Sequence, residues 1–247
     1  MPIGLMSEAR ARCVNVQDVE YVPYQSPQAS PDAVSAGSSP SSASIDTRVP
    51  PDALFEAART GQKEMLWTLV NERCCNVNKP RVLDGHTPLH VACRHGHGGS
   101  VQYLMQLGSN AESRDNNERR PLHLSALYGH ALTCALLARW NADVEARDCQ
   151  GCTALHLAAV YGHSAACSLL LDHSACINAV DSKGRSAVRM AAQYAHHNTV
   201  TLLIERQADM NVRDSTGVTA LRAAVEYGHY GTVQVDIHKN NQTVRIK

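Results

Sequence analysis

The chain has 247 residues, the length of one large domain or two small ones. Its 23 basic and 23 acidic residues cancel, which excludes a global field steering it to nucleic acid or acidic lipid. One Phe, two Trp and eight Tyr leave aromatic content at 4%, so the core must be built from Leu, Val and Ala, as in closely packed helices rather than broad β-sandwiches.

The N-terminus, MPIGLMSEARARC, lacks the apolar run of a secretory signal, and nine Cys is an odd count. Both features point to a reducing compartment, cytoplasm or nucleus, where Cys acts as a small buried hydrophobe. Residues 25–51 are rich in Ser, Pro and Ala and nearly free of large apolar side chains. They cannot bury enough surface to offset ordering entropy, so residues 1–51 are predicted to be a disordered tail. Ser26-Pro27, Ser30-Pro31 and Ser39-Pro40 match proline-directed phosphorylation sites, a pattern common in any such linker. The stretch Val14 to Tyr24 has the composition of a short docking motif, without anything to specify its partner.

A repeat dominates the rest of the chain. Thr87-Pro88-Leu89-His90, Arg120-Pro121-Leu122-His123, Thr153-Ala154-Leu155-His156, Ser186-Ala187-Val188-Arg189 and Thr219-Ala220-Leu221-Arg222 are spaced by 33 residues. Gly96-His97, Gly129-His130, Gly162-His163, Ala195-His196 and Gly228-His229 keep the same phase, as do Asp115, Asp148, Asp181 and Asp214. Within one unit, Thr87 suits an N-cap and Pro88 the first helical position. Leu89, Ala92 and Cys93 face inward, and Gly96 suits a left-handed end to the first helix. Val101, Leu104 and Leu107 then mark a second helix, with Cys134 and Leu137, Cys167 and Leu170, and Val200 and Leu203 as its later counterparts. The segment before each cap, such as Asp148-Cys149-Gln150-Gly151, reads as a turn. The uncharged runs from Pro121 to Ala138 and from Gly151 to Leu171 carry His and hydroxyl residues, which rules against spanning helices.

These motifs resemble the ankyrin repeat over residues 52–237. The resemblance implies an all-α solenoid of stacked helix-turn-helix units with β-turn finger connectors. Its units are a cap repeat 52–83, repeats 84–116, 117–149, 150–182 and 183–215, a truncated repeat 216–237, and a tail 238–247. The cap opens at Asp52-Ala53-Leu54-Phe55 without the Thr-Pro-Leu-His start, and its connector, Asn76 to Gly85, holds two extra residues. Several positions depart from the pattern. Arg120 replaces the capping Thr, and Asn117-Glu118-Arg119 lacks the turn Gly. Asn141, Ser174 and Gln207 stand where an earlier repeat has Gly108, which predicts lower local stability for Ser and Gln. Arg189 and Arg222 replace the motif His. After His229 the pattern turns to period two (Val233, Val235, Ile237; Val244, Ile246), which predicts a hairpin around Asn240-Asn241 or a frayed end.

Chemistry is not expected. Eight His fall on two fixed repeat positions, and a metal or catalytic site needs side chains converging on one point. Cys149-Gln150-Gly151-Cys152 has zinc-like spacing but no second pair, and reads as an exposed loop; Cys74-Cys75 is equally unsupported. No phosphate loop or nucleophile elbow is present, and Arg119-Arg120 is too small a footprint for nucleic acid. No cofactor, metal, nucleic acid or membrane insertion is therefore expected, and the chain reads as a monomer.

The resemblance implies a concave binding surface made of finger tips and the exposed ends of the first helices. The two residues before each Gly-His belong to it: Arg94-His95, Leu127-Tyr128, Val160-Tyr161, Gln193-Tyr194 and Glu226-Tyr227. Tyr128, Tyr161, Tyr194 and Tyr227 form a ladder of 33-residue period, either contacting a partner or packing over the adjoining repeat. Arg119, Gln150, Cys152, Lys183, Arg185, Ser215 and Val218 are the expected tips. The expected function is a non-enzymatic scaffold or adaptor binding protein partners. The alternative is a substrate-recruiting arm of a larger protein, such as a tankyrase-like ADP-ribosyltransferase or a ubiquitin-ligase adaptor, on the resemblance of Asp52-Ala53-Leu54-Phe55-Glu56-Ala57 to the opening of such arrays.

Overall fold

A computed structural model describes residues 52–229 and Gly231. The expectations for the tail 1–51, its Ser-Pro pairs, the strand-like end after His229 and the segment 238–247 lie outside the described residues.

Among the described residues the helices come in pairs. An inner row consists of α1 (Ala53–Thr60), α3 (Pro88–Arg94), α5 (Pro121–Leu127), α7 (Ala154–Val160), α9 (Ala187–Gln193) and α11 (Ala220–Glu226). An outer row consists of α2 (Lys63–Trp67, prolonged by a π-helical turn, Thr68–Glu72), α4 (Gly98–Gln106), α6 (Ala131–Arg139), α8 (Ser164–Asp172) and α10 (His197–Glu205). Inner helices stack on inner helices, and each from α1 to α9 leans on the outer helix that comes after it. No strand forms among these residues; one antiparallel bridge, Val180 to Ser186, marks the base of a finger.

The inner helices start as the sequence predicts. Thr87 is extended (φ −85°, ψ 165°), its Oγ1 accepts from the His90 N–H at 3.4 Å, and its own N–H donates to His90 Nδ1 at 3.1 Å. The same reciprocal bond to Nδ1 recurs from Arg120 to His123 at 3.1 Å and from Thr153 to His156 at 3.2 Å. Leu89, Ala92, Cys93, Val101 and Leu104 are wholly buried, as are Cys134, Leu137, Cys167, Leu170, Val200 and Leu203 or very nearly so. Each buried Leu contributes roughly 2 kcal/mol. Alanine and cysteine between them let neighbouring helices close up, so few rings are needed: Phe55 is the one aromatic among the buried residues of the main core.

The two histidine positions bind the repeats together in opposite directions. Toward the next repeat, Nε2 of His90 donates to the Arg119 carbonyl (3.1 Å), that of His123 to Cys152 (3.2 Å) and that of His156 to Arg185 (3.1 Å). Toward the previous repeat, Nε2 of His97, His130, His163, His196 and His229 reaches the carbonyls of Arg59, Arg94, Leu127, Val160 and Gln193 at 2.7–3.1 Å. The second set explains the glycine before His97, His130 and His163; before His196 the same place is taken by Ala195 at φ 61°. Gly129 has φ +74°, and a Cβ there would stand 2.6 Å from His163 Nδ1, a ring already tied to Leu127. Gly108, at φ +82°, faces open space, so its position accepts Asn141, Ser174 and Gln207 at φ 60–67°. Gly129→Val should therefore cost about 3 kcal/mol, from left-handed strain plus displacement of the ring. Gly108→Asn should stay within about 1 kcal/mol, both read by urea unfolding.

The departures from the motif find their physical partners. Arg120 bridges Glu112 (2.5 Å) and Asp143 (2.8 Å), so an ion pair spanning repeats replaces the missing Thr cap. Glu118 takes the left-handed turn position at φ 58° that glycine fills elsewhere. Of the two extra residues expected in the first connector, one lies between Arg81 and His86, whose backbone bond spans five residues where that from Asp115 to Arg119 spans four. The other is absorbed in the π-helical turn Thr68–Glu72. Val82 and Leu83, 95% and 84% exposed, form the connector's tip.

Candidate partner-binding face

Each finger is organised by the aspartate in phase with the repeat. Asp115 Oδ1 accepts from the N–H groups of Asn117 and Arg119, Asp148 Oδ1 from Gln150 and Cys152, Asp181 Oδ1 from Lys183 and Arg185, and Asp214 Oδ1 from Thr216 and Val218, all at 2.8–2.9 Å. Successive fingers are then joined by backbone bonds, Asn116 to Asp84, Cys149 to Asn117, Ser182 to Gln150 and Ser215 to Lys183, at 2.9–3.1 Å. The wall they build is thus continuous and preorganised.

Not every expected tip is displayed on it. Cys152 is 1% exposed, packed with Leu157, Val160 and Met190 beneath the wall, so it is neither a tip nor part of an exposed loop. Burial pushes its thiol well above the ordinary range. Arg119 and Arg185 fold back: their Nε atoms donate to Oδ2 of Asp115 (2.9 Å) and Asp181 (2.8 Å). The signal was present in the sequence as Asp-x-x-x-Arg, four residues apart in both turns. Lys183 and Ser215 are exposed; Gln150 and Val218 are half-buried.

Asp115 and Asp148 show what the basic neighbour does. Burial alone would raise the Asp115 carboxyl, but the His86 hydrogen bond, Arg119 and two backbone N–H groups outweigh it and hold the group at about 2. Asp148 keeps its backbone bonds, yet Cys152 stands where Asp115 and Asp181 have Arg, and burial leaves its carboxyl raised.

Tyr128, Tyr161, Tyr194 and Tyr227 each come directly after an inner helix with near-identical backbone angles, φ −91° to −103° and ψ 4° to 17°. The backbone therefore presents all four at the same point of the repeat, and His95 holds the equivalent place after α3. Three stay open to solvent, Tyr128 at 37%, Tyr194 at 36% and Tyr227 at 55%, whereas Tyr161 is half-buried. Three of these rings meet a histidine of their own repeat: His95 lies 6.2 Å from His97, Tyr161 6.4 Å from His163 and Tyr227 6.2 Å from His229, nearly parallel. The row also meets the preceding repeat. Arg94 Cζ lies over the Tyr128 ring at 5.3 Å, Leu127 and Tyr161 share an apolar cluster, and Gln193 Nε2 donates to Tyr227 Oη at 3.3 Å. Packing and exposure coexist along the row. Burial, then the neighbouring Tyr128 and Tyr194, raise the Tyr161 phenol, as expected of one row of rings.

The flanking positions divide. Arg94, His95 and Glu226 are exposed or partly so, Glu226 accepting from Arg222 Nε at 2.8 Å. Leu127 is half-buried, and Gln193, at 7% exposure, is a framework residue rather than a contact. It belongs to a chain of bonds that the repeat pattern alone does not reveal. Arg189 NH2 pairs with Asp214 at 2.6 Å, Arg189 NH1 donates to Gln193 at 2.7 Å, and Gln193 reaches Tyr227. Arg189 thus replaces the motif histidine with an ion pair to the next finger. Its recurrence in register with His156 and Asp214 was the available clue.

Among the described residues no three His, Cys, Asp or Glu side chains converge as metal ligands. No helix there is long and apolar enough to cross a membrane.

Paired helices stacked through fingers, with an ordered row of side chains on one face, define a repeat solenoid of the interaction type. A family model of ankyrin repeats, in three copies, matches residues 38–115, 54–148, 99–181 and 177–244. The chain belongs to the ankyrin-repeat family, whose members are generally protein–protein interaction modules and typically non-catalytic. A comparison with curated proteins gave no match.

Proposed function

We propose that this protein is a non-enzymatic scaffold or adaptor that takes protein partners on its concave face, along Tyr128, Tyr161, Tyr194 and Tyr227. The observation behind this reading is the row itself. Four tyrosines, half of all those in the chain, recur at one place in the repeat, and three keep more than a third of their surface in solvent. Tyrosine brings large contact area at low rotamer cost and carries one polar handle. Exposed Lys183 and Ser215 on the finger wall and Arg94, His95 and Glu226 at the groove ends would add selectivity. In the same reading the protein acts as a monomer in the cytoplasm or nucleus.

The double change Tyr161→Ala and Tyr194→Ala should weaken capture of bound proteins by at least about tenfold, while the loss of half-buried Tyr161 costs roughly 1 kcal/mol of stability. Quantitative affinity capture with the full chain, paired with thermal melts, reads both. Unchanged capture, or a collapse of helical signal, would assign the rings to structure alone.

A further inference from the structure

We propose that the concave face recognises an extended acidic and apolar peptide segment: a partner carboxylate sits on Arg94, and a neighbouring aliphatic or aromatic side chain lies across Tyr128 and Tyr161. This rests on the concave-face reading above and adds the chemistry of the partner.

Arg94 differs from the other arginines on this side of the molecule. Arg119, Arg185 and Arg189 each close on a finger aspartate, and Arg222 on Glu226. Arg94 is exposed, and no carboxylate among the described residues pairs with it; its guanidinium lies over the Tyr128 ring instead. A guanidinium held over a ring has N–H donors left for a bidentate acceptor, which a carboxylate matches. The ring fixes the position of the group beforehand, so little rotamer entropy is lost on binding.

The surroundings favour an anion at that end. His95 is held below the ordinary histidine range by burial first and then by Arg94, with smaller contributions that include Arg59, so two guanidinium groups lie near this end. Glu56, which lies close to His95, is bound to Arg59 at 2.8 Å. At the other end of the row Glu226 presents a carboxylate. An acidic residue of a bound segment is therefore attracted at the Arg94 end, whereas at the other end Glu226 already holds Arg222, which gives the segment a fixed direction.

Between the two ends the floor is apolar. Leu127 and Tyr161 rest on Cys152, Leu157, Val160 and Met190, a cluster separate from the main core. A partner side chain laid across Tyr128 and Tyr161 meets that floor and would bury it further. One unpaired guanidinium with an apolar strip beside it suits a peptide; a lipid surface would need a basic cluster, which a chain of zero net charge does not concentrate here.

Panning phage-displayed random linear peptides on the full chain tests this. Enriched peptides should combine Asp or Glu with Leu, Ile or Phe a few residues away. Arg94→Ala should weaken the best synthetic peptide by about tenfold or more, the scale of a charge-assisted contact. Arg94→Glu should abolish binding, and a peptide with its acid changed to Lys should recover on that variant. Since Arg94 is exposed, circular dichroism should show both variants folded. Peptides without acidic bias that bind Arg94→Ala as well as the unaltered chain, yet are lost on Tyr161→Ala, would overturn the carboxylate contact and leave the concave face standing. No enrichment, or peptides indifferent to both positions, would overturn both.

Discussion

Acidification from pH 7.5 to pH 5 should cost the array several kcal/mol, with the loss beginning just below pH 6.5. The cause lies in the inner-helix histidines. His90 and His123 are wholly buried, each with Nδ1 accepting a backbone N–H and Nε2 donating to the next repeat. A second proton would face the N–H of Thr87 or Arg120, with no water to solvate the charge. Burial, which outweighs the carbonyl bonds at Nε2, pushes both rings down to about 4 from 6.5. Burial lowers His156 in the same direction.

The folded value lies below the unfolded one, and the protonated form is the unfavoured one. Stability is complete above pH 6.5 and is lost as pH falls through 6.5 toward 4, because the unfolded chain takes protons that the folded chain refuses. By pH 5 this amounts to roughly 2 kcal/mol for each of the two rings. The finger carboxylates Asp115 and Asp214, both held at about 2, add a second, lower window: their contribution is full above about 4 and lost as pH falls toward 2. Thermal melts by circular dichroism across pH 7.5 to 3 should show the two stages. A variant lacking the His123 ring should be less stable throughout, with a pH slope shallower by one proton. A melting temperature that stays level from pH 7.5 to 5 would falsify the buried-neutral account of these rings.

Asp181→Asn should destabilise the protein by about 3 kcal/mol, whereas Asp148→Asn, at the equivalent place one repeat earlier, should cost less than about 1 kcal/mol. Both carboxylates accept two backbone N–H bonds through Oδ1, which an Asn side-chain oxygen can retain. Only Asp181 also neutralises a basic partner, with Arg185 NH2 at 2.6 Å and its guanidinium 12% exposed. Amidation there leaves a buried guanidinium facing an amide N–H₂ group or an orphaned oxygen. Asp148 has Cys152 in that place, so the neutral form relieves a buried charge instead of stranding one. Urea unfolding of the two variants, with hydrogen exchange at the Arg185 amide, measures the contrast. Equal losses would mean that the backbone bonds, and not the ion pair, set the finger's stability.

The helices, their caps and the phase of the tyrosine row were legible because each depends on residues within one repeat. Thr87 with His90, Pro88, and Leu89 with Ala92 and Cys93 are local patterns whose meaning does not depend on neighbours. What escaped depends on contacts a full repeat away. Cys152 is buried because Met190 covers it, and Gln193 is buried because Arg189 and Tyr227 both bind it. A position's phase identified the face it lies on, but its exposure was fixed by the size and charge of its counterpart in the next repeat. The folded-back Arg119 and Arg185 are the exception, since their partners stand four residues away and could have been read.

Replacing histidine by Arg189 also changes where the array would break. Each inner-row contact from His90, His123 and His156 carries a proton-sensitive hydrogen bond, while the contact from Arg189 to Asp214 is an ion pair whose carboxylate stays ionised down to about 2. In a linear stack, stability is the sum of repeat terms and nearest-neighbour couplings. As pH falls below 6.5 the three histidine couplings weaken and the Arg189–Asp214 pair does not, so the stack acquires a boundary just before repeat 183–215. Arg94 and Tyr128 lie on the weakened side and Tyr227 on the retained side, so mild acid would cut the row of rings in two before it unfolds the chain.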